Sequence, residues 1–315
     1  MVISPIKTQK AVHSRVLKLM GNRFVISVVS EDEKWANDKI QLAIEEIQRI
    51  ERLLTTFNEN SQTNQINRMA GIAPVKVDSE VFDLINRSLR ISGLTQGAFD
   101  ITYGSLDKKL WNFDQSMTCL PDPVTAYNLV RLINYKNVIL NEVGCTVFLK
   151  EKGMRIGFGG IGKGYAAERG KLILQQAGVE SGIVNASGDL TAWGYQPDGK
   201  PWTIGIADPG NSNRAFSAIN ITNMAVATSG NYEKFALIDG KRYSHTIDPR
   251  TGLPVSGIKS VTIICPNAEI ADAMATPVTV MGIKAGLDMI NQMKGIACLI
   301  IDDNNIIYKS KNIHF

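Results

Sequence analysis

The chain has little of what would tie it to a membrane, a disulfide framework or a nucleic acid. No stretch approaches the roughly 18 consecutive apolar residues of a membrane-spanning helix. Residues 1–20 carry lysines, an arginine and a histidine without an apolar centre, so they do not read as a secretory signal peptide. As written the chain reads as cytoplasmic; a trimmed form of a periplasmic or membrane-anchored protein would present the same residues. Only four cysteines occur, Cys119, Cys145, Cys265 and Cys298. None belongs to a Cys-x-x-Cys pair and three lie in apolar, strand-like runs, so they read as buried free thiols, not zinc ligands. Charge is nearly balanced: 34 basic against 30 acidic residues leave +4, with no long basic run, which argues against a nucleic-acid or membrane-surface protein. There is no internal repeat, low-complexity tract or evident linker. Histidine is scarce as well: His13 and His314 lie near the termini and only His245 lies in the body of the chain.

What is present is a globular chain with a substantial core, 44% hydrophobic and 20% charged over 315 residues. Arg23–Val29 reads as a strand, with Ser30 and Glu33 as a capping box for the helix that follows. That helix places Ala36, Ile40, Ile44, Ile47, Ile50 and Leu54 on one stripe. Asn58–Arg68 is polar and reads as a loop. Further helices are expected over 80–94, from Asp122-Pro123, over 163–177 and over 285–293. A hairpin is expected over 137–149, turning near Gly144. After Gly178 the chain is mostly strands, with Asp239-Gly240 a two-residue hairpin turn and a closing hairpin near Asp303-Asn304. Helices and strands mix without regular βαβ alternation, so the fold class is α+β.

The segment Gly157-Phe-Gly-Gly160-Ile-Gly162-Lys163-Gly164 follows a short strand and opens a helix. It fits Gly-x-Gly-x-x-Gly, but no acid ends the next strand, which closes on Asn185, so a dinucleotide fold is disfavoured. It nearly fits a P-loop, but Gly164 stands where the Mg²⁺-binding hydroxyl belongs, and the Ile300–Asp303 run reads equally as a strand entering a turn. What both motifs share survives: glycines let the backbone approach a ligand, a helix N-terminus favours phosphate, and Lys163 adds charge.

Two more features carry chemistry. Ala268–Val280 reads as a helix, and Asp272 and Thr276 stand four apart, so a carboxylate and a hydroxyl share one face. Hard oxygens of that kind suit Mg²⁺, which leaves the rest of its shell to water, carbonyls and phosphate. His245 sits in a loop before a turn built by Asp248-Pro249 and Gly252. Asp248 either orients His245 or caps that turn, and its Asp-Pro chemistry favours the turn.

The order of segments resembles the ApbE-type flavin transferases, also called FAD:protein FMN transferases. They are Met20-Gly21, Ser61–Asn67, Gly97-Ala-Phe-Asp-Ile-Thr102, Gly159–Ala166, Asn185-Ala-Ser-Gly-Asp189, Trp202–Pro209, Ala227–Gly230, Ser244–Gly252 and Ala271–Thr276, spanning roughly 19 to 282. The resemblance implies a single compact domain over residues 19–315, with mixed or antiparallel sheets and packed helices, after an extension at 1–18. It implies FAD as substrate, Mg²⁺, and transfer of FMN to a Ser or Thr hydroxyl of an acceptor protein with release of AMP. Family metal ligands fall on Asp272, Thr276 and the Gly160 carbonyl. Family FAD contacts fall on Met20, Phe57, Ala98, Phe99, Asp100, Gly157, Lys163 and Thr246, and the catalytic histidine on His245. Family acceptors carry an Asp-Gly-x-Ser/Thr-Gly-Ala-Ser/Thr-like motif, which this chain lacks.

The chemistry is coherent. Splitting a pyrophosphate by a hydroxyl needs neutralised phosphates, a base for the hydroxyl proton and a stabilised leaving group. The chain also departs from the family. Gly157 stands in place of a usual Asp and Phe57 in place of a usual Tyr. Gly162 replaces a common Ala, Asn22 a common Thr, and Pro277 is expected to bend the metal helix. Two alternatives follow: an Mg²⁺-dependent pyrophosphatase giving FMN and AMP, or an FAD-binding protein with little catalysis.

Overall fold

The computed structural model describes residues 9–106, 117–208, 211–230 and 235–313. Pro209 and His314 lie outside them. Strands β1 (Ala11–Leu19) and β2 (Asn22–Ser30) form a hairpin with Leu19 opposite Asn22. Its two-residue turn, Met20 and Gly21, has φ of 50° and 72°, as a type I′ turn requires. Residues 11–18, expected to belong to an N-terminal extension, thus build most of an edge strand. Helix α1 (Glu33–Leu54) follows and buries the expected stripe. Its cap is Asp32, not Ser30: Ser30 ends β2, and the Asp32 carboxylate accepts from the Trp35 N–H at 3.0 Å. The stretch expected as a loop over 58–68 contains a short helix, α2 (Gln62–Arg68), capped by Ser61.

The chain continues through β3 (Val75–Lys76), α3 (Ser79–Leu94), a 3₁₀ turn at Ile101–Ser105 and α4 (Pro123–Leu129). Then come β4 (Val138–Asn141), β5 (Thr146–Leu149) and α5 (Gly162–Gln176), which stops before Gly178 at φ 88°. Seven strands follow before the next two: β6 (Gly182–Ala186), β7 (Asp189–Trp193), β8 (Trp202–Asp208), β9 (Asn211–Ile221), β10 (Met224–Gly230), β11 (Phe235–Ile238) and β12 (Lys241–Ile247). Those two are β13 (Pro254–Ser256) and β14 (Ile258–Cys265). The chain closes with α6 (Ala268–Met281), α7 (Ile283–Ile290), β15 (Ala297–Asp302) and β16 (Ile307–Lys309). Helix α6 accommodates Pro277 without interruption.

The central sheet has eight strands in the order β1-β2-β6-β7-β10-β14-β15-β16. Every strand pairing among the described residues is antiparallel. That is the expected α+β class in one compact domain, and it removes the dinucleotide fold and the P-loop, both of which need parallel strands. Helices α1, α5 and α6 cover one face of the sheet. Ile40, Ile47 and Ile50 of α1 are fully buried there, each worth roughly 1.5–3 kcal/mol. The β8–β9 hairpin covers the other face through Trp202, Ile204, Ile219 and Ile221. A third cluster, including residues of α4, β11 and β12, forms the base on which His245 stands. Cys265 and Cys298 are buried free thiols as expected; Cys145 is half-buried and Cys119 exposed.

Candidate active site

A cavity of about 760 Å³ opens where α1, α5, α6 and β12 meet. Its first wall is the Met20 turn, which the Asn22 side chain holds by donating to the Met20 carbonyl at 2.7 Å. Next to it the chain leaving α1 presents Thr55, Thr56 and Phe57, with the Phe57 ring 98% exposed at the rim. Ala98, Phe99 and Asp100 line the far side. Asp100 is buried, and its carboxylate is spent on the segment itself: it accepts from the Thr102 N–H and hydroxyl and from the Tyr135 N–H. Burial pushes its carboxyl above the usual range, and those three donors oppose the shift.

The glycine segment forms the floor. Arg155 and Ile156 are not a strand, contrary to expectation; the chain runs there without regular structure against the 3₁₀ segment, with the Gly157 N–H donating to the Ile101 carbonyl at 3.0 Å. A β-carbon on Gly160 would meet the Phe99 ring at 3.3 Å, so the ring lies on the glycine backbone. A β-carbon on Gly157 would meet nothing within 4 Å, so the position has room for a larger side chain.

Helices α5 and α6 cap one another here. Ile161, at the N-cap of α5, has no side-chain acceptor to offer. Asp272 of α6 supplies it, accepting from the Gly164 N–H at 2.9 Å. In return Glu168 of α5 accepts from the Ala268 N–H at the start of α6, also at 2.9 Å. A free N–H at a helix start needs an acceptor, and each helix meets the other's need. Lys163 lies in the first turn of α5, where the helix dipole disfavours a cation. Two carboxylates offset this: its ammonium pairs with Asp189 and lies 3.7 Å from Asp272. Burial alone would lower the lysine's pKa, but Asp272 and Asp189 outweigh it and hold it raised. The Asp189 carboxyl is pushed up, first by burial and then by Asp272, with Lys163 opposing.

His245 stands near the end of β12, not in a loop as expected, and is exposed to the cavity. The chain then turns at Asp248. That carboxylate accepts from the Arg250 main-chain N–H and pairs with its guanidinium, so Asp248 serves the turn, the alternative favoured from its sequence. Gly252, at φ 74°, packs so tightly on Ala126 that a β-carbon would lie 2.0 Å from its carbonyl oxygen.

All of the sequence-predicted site residues line this cavity except Asp272: Met20, Phe57, Ala98, Phe99, Asp100, Gly157, Gly160, Lys163, His245, Thr246 and Thr276. Asp272 lies directly behind Lys163, and Thr276 stands one turn further along α6. Among the described residues no three His, Cys, Asp or Glu side chains gather into a metal cluster. The chain offers one carboxylate, one hydroxyl and a main-chain carbonyl, hard oxygens that fit a Mg²⁺ completing its shell from water and phosphate. Asp189, which the sequence pattern does not mark, lies outside the cavity lining and pairs with Lys163; its signal is the Asn185–Asp189 segment, where Ser187 and Gly188 at φ 55° and 103° turn the chain back beneath α5.

An antiparallel α+β scaffold whose cavity gathers a glycine segment, a helix N-terminus and a histidine defines an enzyme-like class. The match is more specific than that. The model of the ApbE family covers residues 20–300, so the chain belongs to that family. A Klebsiella pneumoniae relative named FAD:protein FMN transferase is 33% identical over 301 residues, covering 95% of this chain and 92% of its own. The ApbE protein of Thermotoga maritima superposes with a TM-score of 0.84 at 31% identity, covering 96% of this chain and 97% of its own. The Pseudomonas stutzeri flavinyl transferase ApbE, in its apo form, gives 0.82 at 25% identity, with 98% and 97% covered.

Proposed function

We propose that this chain transfers FMN from FAD to a Ser or Thr hydroxyl of an acceptor protein, with Mg²⁺, and releases AMP. The observation that carries the reading is the convergence of the glycine segment, the Phe57 wall and His245 on one cavity large enough for a dinucleotide. The relatives named FAD:protein FMN transferase support it over simple hydrolysis or binding without turnover.

In this reading Met20, Phe57 and Phe99 take the flavin ring by apolar contact and stacking. The N-terminus of α5 and the glycine backbone face the pyrophosphate, and Lys163 adds its charge. The acceptor hydroxyl gives its proton to His245 as its oxygen attacks the flavin-side phosphorus. The new oxygen–phosphorus bond replaces the pyrophosphate link, and AMP leaves with the bridging oxygen. A neutral histidine suits that proton transfer near pH 7. Asp272, Thr276 and the Gly160 carbonyl would hold Mg²⁺, which supplies Lewis-acid neutralisation of phosphate charge. The acceptor carries the Thr motif expected from the family. The experiment is chromatography of FAD incubated with the protein, Mg²⁺ and an acceptor bearing that motif. AMP release that stops on chelation, with flavin retained on the acceptor and no free FMN, supports the reading; AMP with free FMN and a bare acceptor, or intact FAD under every condition, refutes it.

A further inference from the structure

Helix α2 has no part in the chemistry above, yet its polar side chains reach both sides of the cavity. Ser61, Asn64 and Asn67 recur every third residue, so they share one broad side of the helix. Ser61 accepts from the Asn64 N–H at 3.1 Å and donates its hydroxyl to the Thr55 carbonyl at 2.6 Å. The Asn64 amide donates to the Thr56 carbonyl at 2.9 Å and to the Asn58 carbonyl at 2.8 Å. Those two carbonyls flank Phe57, whose ring is itself 98% exposed and has little packing to fix it. Asn64 is buried, so both donors are shielded from competing water.

Asn67 acts on the opposite wall. Its amide donates to the Ile156 carbonyl at 3.1 Å and its side-chain oxygen accepts from the Ile156 N–H at 2.7 Å. That pair imitates a strand ladder and pins the backbone just before Gly157, across 89 residues of sequence. Ile66, on the same helix, is buried in the main core and anchors the element between its two amides.

We infer that Asn64 and Asn67 are positioning residues for FAD, and that α2 is a brace setting the spacing between the Phe57 wall and the glycine floor. The inference rests on the flavin reading of the cavity. Asn64 acts through Phe57, whereas Asn67 acts through the glycine segment, and this difference is measurable.

The test is a double-mutant cycle on the full chain, reading the FAD KM for AMP release and the FAD Kd by flavin fluorescence. Asn64→Ala raises both about tenfold in the native background, the scale of two lost buried hydrogen bonds partly made good by water. In the Phe57→Ala background it adds nothing further, because the wall it positions has lost its ring. Asn67→Ala, and Asn67→Asp, which keeps the acceptor and loses the donor, raise both in either background. Because an unfolded fraction raises an apparent Kd by the inverse of the folded fraction, thermal unfolding of each variant gives that fraction and both constants are corrected for it. Equal Asn64→Ala effects with and without Phe57, or unchanged KM and Kd, overturn the brace while leaving the flavin reading intact. A native chain that neither binds FAD nor releases AMP overturns the flavin reading and the brace with it.

Discussion

Gly164→Ala tests how the end of the cavity proposed to hold Mg²⁺ is built. A β-carbon there would lie 2.1 Å from the Ala268 carbonyl oxygen, 2.7 Å from Asp272 Cβ and 2.8 Å from the Ala268 carbonyl carbon. Two of these atoms are main chain, so no rotamer change relieves the clash. Helices α5 and α6 must part by roughly 1 Å within a close-packed interior. Alanine is favoured over glycine within a helix by about 1 kcal/mol. Overpacking of this kind costs about 1–3 kcal/mol, and more when backbone is involved. A clash against main chain sits at the upper end of that cost, so it wins, with a net loss of about 2 kcal/mol and a thermal midpoint lower by a few degrees. The parting also carries Asp272 away from the Gly164 N–H and the cavity, so FAD turnover needs more Mg²⁺. Gly162→Ala is the control: its β-carbon meets Phe158 Cβ at 3.2 Å, which a shift of a few tenths of an ångström relieves, and Met20 Cε at 3.7 Å, an ordinary contact. Thermal unfolding of both variants, with turnover against Mg²⁺ concentration, decides the matter. A Gly164→Ala protein as stable as Gly162→Ala, with the native Mg²⁺ dependence, refutes the close-approach argument.

Three further outcomes follow from the same geometry. Gly157→Asp enters open space at an ordinary φ, so it leaves the thermal midpoint unchanged and tightens FAD binding measured by flavin fluorescence; a destabilised variant would contradict the open site. Asp272→Ala lowers turnover, and added Mg²⁺ restores part of it; a loss indifferent to Mg²⁺ removes the metal role. Hydrogen bonds from Arg49 hold the Glu46 carboxyl below its ordinary value of 4.5, with burial opposing and Arg169 assisting. Because the folded value is the lower one, that stabilisation is complete above the ordinary value and is lost as pH falls through the folded value. The stability difference between the native chain and Glu46→Gln, followed by urea midpoints, therefore narrows on acidification below about pH 4.5. A difference that stays constant down to pH 3 would show the ion pairs to be idle.

Much of the fold and the site could be read from residue pattern, and the exceptions share a cause. The α1 stripe, the Asp239-Gly240 turn and the Asp272 helix announce themselves through hydrophobic period or turn chemistry. Strand β1 does not, because an edge strand exposed along most of its length carries no alternating apolar face. Helix α2 is missed because its stability comes from the Ser61 cap, the Thr63 hydroxyl on the Leu54 carbonyl and buried Ile66, not from an apolar stripe. His245 lies on a strand whose neighbours Ser244 and Thr246 are buried polar residues, which reads as a loop. The Ile300–Asp303 run resembles a metal-binding strand end, yet Asp302 gives its carboxylate to the Asn304 and Ile306 N–H groups of its own turn. Asp189 and Lys163 come together only through the hairpin β6–β7 folding beneath α5, a pairing across 26 residues that periodicity cannot show.

The central claim is that His245 takes the proton from an acceptor hydroxyl as FMN moves onto it. The direct measurement is the mass of an acceptor protein bearing the Thr motif after incubation with FAD, Mg²⁺ and either the native chain or His245→Ala, alongside FAD binding by each. The account predicts a mass gain of one FMN with the native chain, a rate lower by about 10²–10⁴-fold with His245→Ala, and FAD affinity preserved in both. Equal flavinylation by His245→Ala would contradict it.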